Sequence, residues 1–393
     1  MRVLFTSVPS LGHLHPLLPL ARAVADAGHE VAVASGGDAA AAVAETRLAF
    51  VEAGRTEPEM VAEAIARVPA AMPAERGIAM FATIAAPALV DDLLPQLDRL
   101  APELVVHEEG EWGGPVVAAM AGVPSAAHGW GSPLWTEDEL RTIDLATAPL
   151  WEHHSVAPAS PGGLFDHLYL DACPPVLQAR NAERVARRQT LRFRPFDSGH
   201  ELLSWFDGLA GRPLVYVTLG TVPTFNTAPE TLAAVMDALA AEPVDVVMTV
   251  GKNNDPRDLG PLPSNVRAER YLPQAQVLAR CSVAITHGGA GSTIAALALG
   301  LPVLMLPRGA PSQHRLAARC VESGVGLALQ PDTVSPSTVH DAVRVLLADS
   351  SFRAAAERVR ASIDAQPDVA AIVPCLETLA HTRRVVVKPV DGV

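Results

Sequence analysis

Short apolar runs, each about the length of one strand, recur along this chain and alternate with alanine-rich stretches of helical periodicity. In the first half the runs are Val3 to Val8, Val31 to Ala34, Leu104 to His107 and Pro124 to Ala127, with an amphipathic stretch, Leu17 to Ala27, between the first two. Runs without polar alternation suit strands covered on both faces, and helices between them suit parallel pairing. The second half repeats the pattern, with runs at Pro213 to Leu219, Val244 to Val250, Ser282 to Thr286 and Pro302 to Leu306, and helical stretches at Pro229 to Ala241, Ser292 to Leu299, Ser312 to Ser323 and Pro336 to Leu347. From about Pro161 to Gly211 the periodicity fades and prolines and arginines accumulate, which places a domain boundary there.

The expected fold class is therefore α/β, with two Rossmann-like, doubly wound domains spanning 1–200 and 211–367, followed by a helical end and tail over 368–393. Ligands of open α/β sheets lie beyond the carboxyl ends of the strands, so two such domains facing each other make a cleft between them. At 393 residues and 49% hydrophobic content the chain can build two cores. Its 30 basic and 43 acidic residues leave a net charge of −13, which disfavours nucleic acid and anionic membranes as partners. Cys173, Cys281, Cys320 and Cys375 are scattered, with no Cys-x-x-Cys pair, so a reducing cytoplasm is the expected compartment. Pro9, Gly12, His13 and His15 interrupt the first apolar run too early for a signal sequence, and no apolar stretch is expected to span a membrane.

The turn His287-Gly288-Gly289-Ala290-Gly291-Ser292-Thr293 falls between an apolar run and a helical stretch. Such a turn aims backbone N–H groups and the positive end of a helix at one point, where a phosphate fits. Glycine at a strand-to-helix corner can also serve φ > 0 alone. Here a histidine opens the turn and two hydroxyl residues close it, which favours a diphosphate site. After the first run, His13 should project into the cleft, where an imidazole can take a proton near neutrality. A capping or metal role competes, with His15 and Asp38 nearby, but no third ligand clusters with the two histidines, so no metal is expected.

Five motifs in order resemble the inverting glycosyltransferases of the GT-B fold, specifically the bacterial branch that glycosylates polyketides, macrolides and enediynes: Gly12-His13-x-x-Pro16, Leu170-Asp171-x-x-Pro174-Pro175, Thr218-Leu219-Gly220-Thr221, Tyr271-Leu272-Pro273-Gln274 and the His287 turn. The resemblance covers nearly the whole chain. It implies that His13 is the catalytic base and that a carboxylate orients it. Glu108 stands where relatives commonly carry aspartate, one methylene shorter; Glu109 or Glu111 could serve instead, or all three could form a solvated acidic loop. The resemblance further assigns His287, Gly288, Gly289, Ala290, Gly291, Ser292 and Thr293 to the diphosphate, with Thr221 as a further donor. It sets Tyr271, in place of a common tryptophan, against the nucleotide base, with Leu272 reading its edge and Gln274 beside them. A core tyrosine is the competing reading of Tyr271. The helix over Asp368 to His381 would cross back to the first domain.

Relatives that bind glucose often pair an acid with glutamine in the sugar pocket. Here Ser312 replaces the acid and Gln313 remains, which points to a deoxysugar on a thymidine diphosphate carrier. The nucleotide sugar is a co-substrate, and no other cofactor is expected. The partner is a hydrophobic aglycone, for which Met60, Met72, Met80, Phe81, Trp130, Trp135 and Trp151 are candidate contacts, each of them equally a core residue. A homodimer and an auxiliary protein are both left open. A dehydrogenase lacks its Gly-x-Gly-x-x-Gly. A nucleotide-sugar epimerase on the same scaffold, a UDP-hexose-dependent transferase and a non-catalytic partner protein are the other readings, the last disfavoured by retention of His13 and His287.

Overall fold

The computed structural model describes residues 1–67, 77–196, 202–209, 211–220, 229–251 and 254–382. The first sheet comprises β1 (Arg2–Thr6), β2 (Glu30–Ser35), β3 (Ala49–Glu52), β4 (Leu104–Glu108), β5 (Ser125–His128), β6 (Leu168–Asp171) and β7 (Arg188–Thr190). The second comprises β8 (Leu214–Thr218), β9 (Asp245–Thr249), β10 (Val266–Glu269), β11 (Val283–Thr286), β12 (Val303–Met305) and β13 (Gly326–Ala328). Every neighbouring pair is parallel. The orders are β3-β2-β1-β4-β5-β6-β7 and β10-β9-β8-β11-β12-β13, so both domains are doubly wound and both reverse direction at their first strand. That reversal opens a crevice between β1 and β4 in one sheet and between β8 and β11 in the other.

The central strands are buried at every position of β4, β8, β9 and β11, as their unbroken apolar runs require. Five strands escape the apolar pattern: β3, β6, β7, β10 and β13. β7 reads Arg-Gln-Thr and lies at a sheet edge, where one side needs no apolar partner. β6 lies inside the stretch that reads as a linker, so the first sheet reaches Thr190.

The first helix, α1 (Leu11–Asp26), begins well before the expected Leu17. The segment around Gly12 and His13 reads as a turn, and Pro16 and Pro19 each remove an N–H donor from the helix that holds them. Burial of Leu14, Leu17, Leu18, Leu20, Ala21 and Val24 outweighs that cost and carries the helix through them. Other helices that matter for the site are α2 (Glu137–His153), α3 (Ala290–Leu297) and α4 (Pro311–Glu322). α3 thus begins two residues earlier than expected, inside the glycine turn itself.

A helical run at Gly77–Leu100 is, by length and composition alone, apolar enough to cross a membrane, contrary to the expectation that none is. Its π-helical turns at Met80–Ala85 and the residues after them bury Ala82, Ile84, Ala85, Leu89, Val90 and Leu93 within the first domain. The last described helix, α5 (Val369–Thr382), lies against α1. It buries Ile372, Val373, Leu376 and Leu379, and Glu377 Oε1 lies 2.9 Å from His29 Nε2.

Candidate active site

The crevice of the first sheet brings together two residues far apart in sequence. β1 and β4 run side by side with Thr6 opposite His107, so Glu108 closes β4 where the chain leaves β1 for α1. His13 occupies the first turn of α1, and its Nδ1 lies 3.1 Å from Glu108 Oε1. Its ring meets the indole of Trp130 edge-on at 4.3 Å and lies 5.0 Å from Phe81. With Nδ1 directed at the carboxylate, Nε2 is the nitrogen left to a molecule in the cavity that His13 lines.

Glu108 is wholly buried. Burial pushes its carboxyl up, but the facing His13, the N–H of Gly110 and the indole N–H of Trp130 outweigh that and hold it below the usual range. Its neighbours are different. Glu109 accepts from Trp130 N at 2.9 Å and Tyr169 Oη at 2.8 Å, and burial pushes it up to about 7. Glu111 accepts from Thr6 Oγ1 and from the N–H groups of Gly113 and Gly114, and burial likewise pushes it up to about 7. The reading of a solvated acidic loop is thereby corrected, because all three carboxylates are buried. Of the three, only Glu108 meets His13.

The crevice of the second sheet is built the same way. His287 follows β11 and is buried, and burial lowers its imidazole to about 4. The ring sits between two glycines: a Cβ on Gly220 would fall 2.5 Å from His287 Cε1, and one on Gly289 would fall 2.4 Å from Nε2. Gly288 takes φ +79°, and its N–H donates to Thr286 Oγ1 at 3.1 Å. α3 then starts at Ala290 with Gly289 in the extended cap position, which directs its free N–H groups at the cavity.

Both crevices open on one cavity. From the second domain it is lined by Tyr271, Leu272, Gln274, His287, Gly289, Ala290, Gly291, Ser292, Ser312 and Gln313, and from the first by Gly12, His13, His15 and Trp130. Gln274 Nε2 donates to Ser292 Oγ at 3.0 Å, joining the Tyr-Leu-Pro-Gln motif to the glycine turn. Tyr271 is half-buried in the cavity wall, not in the core. Thr293 turns inward, with its hydroxyl 2.9 Å from that of Thr286, so it braces the turn and does not line the cavity; Gly288 likewise lies outside the wall. Thr221 lies outside the described residues. Among the described residues no three His, Cys, Asp or Glu side chains group as a metal site.

Residues 233–379 match the family model described as erythromycin biosynthesis protein CIII-like, C-terminal domain. The chain is 32% identical to the elloramycin glycosyltransferase of Streptomyces olivaceus, over 94% of this chain and 96% of that one. It is also 32% identical to the L-demethylnoviosyl transferase of Streptomyces niveus, over 91% and 93%. Among solved structures, the glycosyltransferase VinC in complex with dTDP is 27% identical and superposes with a TM-score of 0.78, covering 97% of this chain and 100% of that one. The chain belongs to the antibiotic glycosyltransferases. Its two domains are those of the GT-B fold.

On the first-domain side this glycosyltransferase sorts its large side chains into core and cavity wall. Met60 and Trp151 are core residues, whereas Trp130 lines the cavity and Phe81 stands half-buried beside His13. Met72 lies outside the described residues. Several lining residues carry no signal in the sequence. Tyr216 reads as core within β8, yet it lines the cavity with its hydroxyl 3.1 Å from Thr249 Oγ1. Arg194 and Phe196 fall in the linker-like stretch, and Phe196 stacks on His15 at 4.5 Å. Arg270 precedes the motif that does stand out.

Proposed function

We propose that this glycosyltransferase moves a deoxysugar from a dTDP-sugar to a hydroxyl of a hydrophobic natural-product aglycone, by one inverting displacement. The carrying observation is that the His13–Glu108 pair and the His287 turn face a single cavity from opposite domains. His13 Nε2 takes the acceptor proton as the acceptor oxygen bonds to the anomeric carbon, and the bond from that carbon to the diphosphate breaks. Glu108, held ionised, stabilises the imidazolium formed at His13. Negative charge then grows on the diphosphate beside the N-terminus of α3, where donors are already in place.

In this reading, residues 1–200 bind the acceptor and 211–367 the nucleotide sugar, while the helix within 368–393 braces the first domain. Tyr271 offers a flat face to the base. The thymidine carrier rests on Ser312 in the sugar pocket and on the dTDP held by VinC. No metal is needed, because the backbone donors of the turn serve the leaving group.

Isothermal titration with dTDP and with UDP, without added metal, tests the donor. Preference for dTDP supports a deoxysugar transferase, and preference for UDP favours a common hexose. His13→Ala should abolish turnover and leave dTDP binding nearly intact, whereas His287→Ala should weaken dTDP binding. Wild-type turnover in His13→Ala would remove His13 as the base.

A further inference from the structure

Trp130 touches both members of the His13–Glu108 pair, and nothing about an aglycone-binding wall requires that. Its Nε1–H donates to Glu108 Oε2 at 2.6 Å, opposite the oxygen that faces His13, while its ring edge lies 4.3 Å from the His13 ring. Its own backbone N–H is held by Glu109 at 2.9 Å. Gly110 makes room for it, since a Cβ there would fall 2.5 Å from Trp130 Cζ2. The N–H of Gly110 donates to the same Oε2 at 2.6 Å. A glutamate has one more rotatable bond than an aspartate, so a carboxylate at this distance from the backbone needs more anchoring to present one oxygen to an imidazole.

We infer that Trp130 is a positioning residue for transfer: by donating to Glu108 Oε2 it locks the longer carboxylate so that Oε1 meets His13. This inference rests on the His13–Glu108 reading of the mechanism. Trp130 acts through Glu108 and not by holding the acceptor.

Steady-state kinetics of Trp130→Phe, Glu108→Gln and the double variant test it. Trp130→Phe keeps an aromatic ring against His13 but removes the donor, so kcat should fall by about tenfold, the usual effect of one lost hydrogen bond to a charged group, with both KM values within about twofold. The double variant should be no slower than Glu108→Gln alone, because the donor has no carboxylate left to hold. A raised acceptor KM at unchanged kcat, or losses that multiply in the double variant, would overturn the inference. If Glu108→Gln itself kept wild-type kcat, the underlying pairing would fail instead. A second readout does not depend on a Trp130 variant folding. The chain has five tryptophans, and one indole N–H proton resonance should lie at low field and move upfield in Glu108→Gln. If no indole resonance responds to Glu108→Gln, the hydrogen bond is not there and the inference falls.

Discussion

Gly220 and His287 fit together as a ring against a missing side chain: a Cβ on Gly220 would lie 2.5 Å from His287 Cε1, and Gly220 itself takes φ +85°. Gly220 follows β8 and His287 follows β11, so the contact spans the crevice where the second sheet reverses direction. The imidazole therefore keeps its place in the cavity wall only while position 220 carries no side chain.

Gly220→Ala should consequently act on nucleotide binding and on stability together. Left-handed backbone and displacement of the ring should cost about 1–3 kcal/mol, and dTDP affinity should fall by about tenfold or more. Calorimetric titration and thermal melting of the variant check both. Unchanged dTDP affinity would mean that the His287 ring does not serve the diphosphate.

Glu109 predicts how stability depends on pH. Burial pushes its carboxyl from the ordinary 4.5 up to about 7. The folded chain then holds this proton more tightly than the unfolded one, so folding costs nothing at this site below about pH 4.5, and stability is lost as pH rises to about 7. The span amounts to about 3 kcal/mol. In Glu109→Gln the amide N–H₂ can donate to the Tyr169 hydroxyl, which turns to accept. Between pH 5 and pH 8 the variant should gain about 2–3 kcal/mol relative to the wild type in denaturant melts. Parallel curves would show that Glu109 ionises freely inside the fold.

The proposed sugar pocket at Ser312 and Gln313 offers a test of donor choice. Gln313 is buried, with its amide oxygen accepting from Arg308 N at 2.8 Å, so its N–H₂ is what remains for a ligand. Ser312→Asp should restore a carboxylate beside it and raise kcat/KM for dTDP-glucose, relative to a dTDP-deoxysugar, by about tenfold. An unchanged ratio would show that position 312 does not read the sugar hydroxyls.

Arg315 of α4 reaches across to the first domain. It pairs with Glu139, which also accepts from Thr136 N at 2.8 Å as part of the capping box of α2, and its guanidinium lies 5.4 Å over the Trp135 ring. Side-chain exposures of 18% and 15% put the pair between surface and core, so Arg315→Ala should cost about 1–2 kcal/mol. Arg141→Ala breaks an exposed pair with Asp138 on the same helix and should cost less than about 0.5 kcal/mol. Calorimetric melts of the two variants compare them directly.

The central strands were legible because β1, β4, β8, β9 and β11 are covered on both faces along most of their length and are therefore mostly apolar. Edge strands were not, because β7 needs little apolar surface to pair. His13 and His287 were visible as motifs after apolar runs. Their surroundings were hidden for a physical reason: Trp130 and Glu108 become partners only through the pairing of β4 with β5, which no local pattern encodes. Tyr216 was hidden by the opposite confusion, since a tyrosine in a buried strand looks the same whether its hydroxyl ends in core or in cavity. The start of α1 was lost to Gly12 and Pro16, whose local preference is overruled by the buried face of the helix.

The packing of α5 on α1 also has a consequence in time. On the ribosome, the strands and helices of the first domain emerge early, yet the outer face of α1 stays uncovered until the residues after Val369 have left the exit tunnel. At ordinary rates of synthesis that wait is on the order of tens of seconds. During it, the nascent first domain carries an apolar strip with no partner of its own, so its final closure waits until the whole second domain has been made.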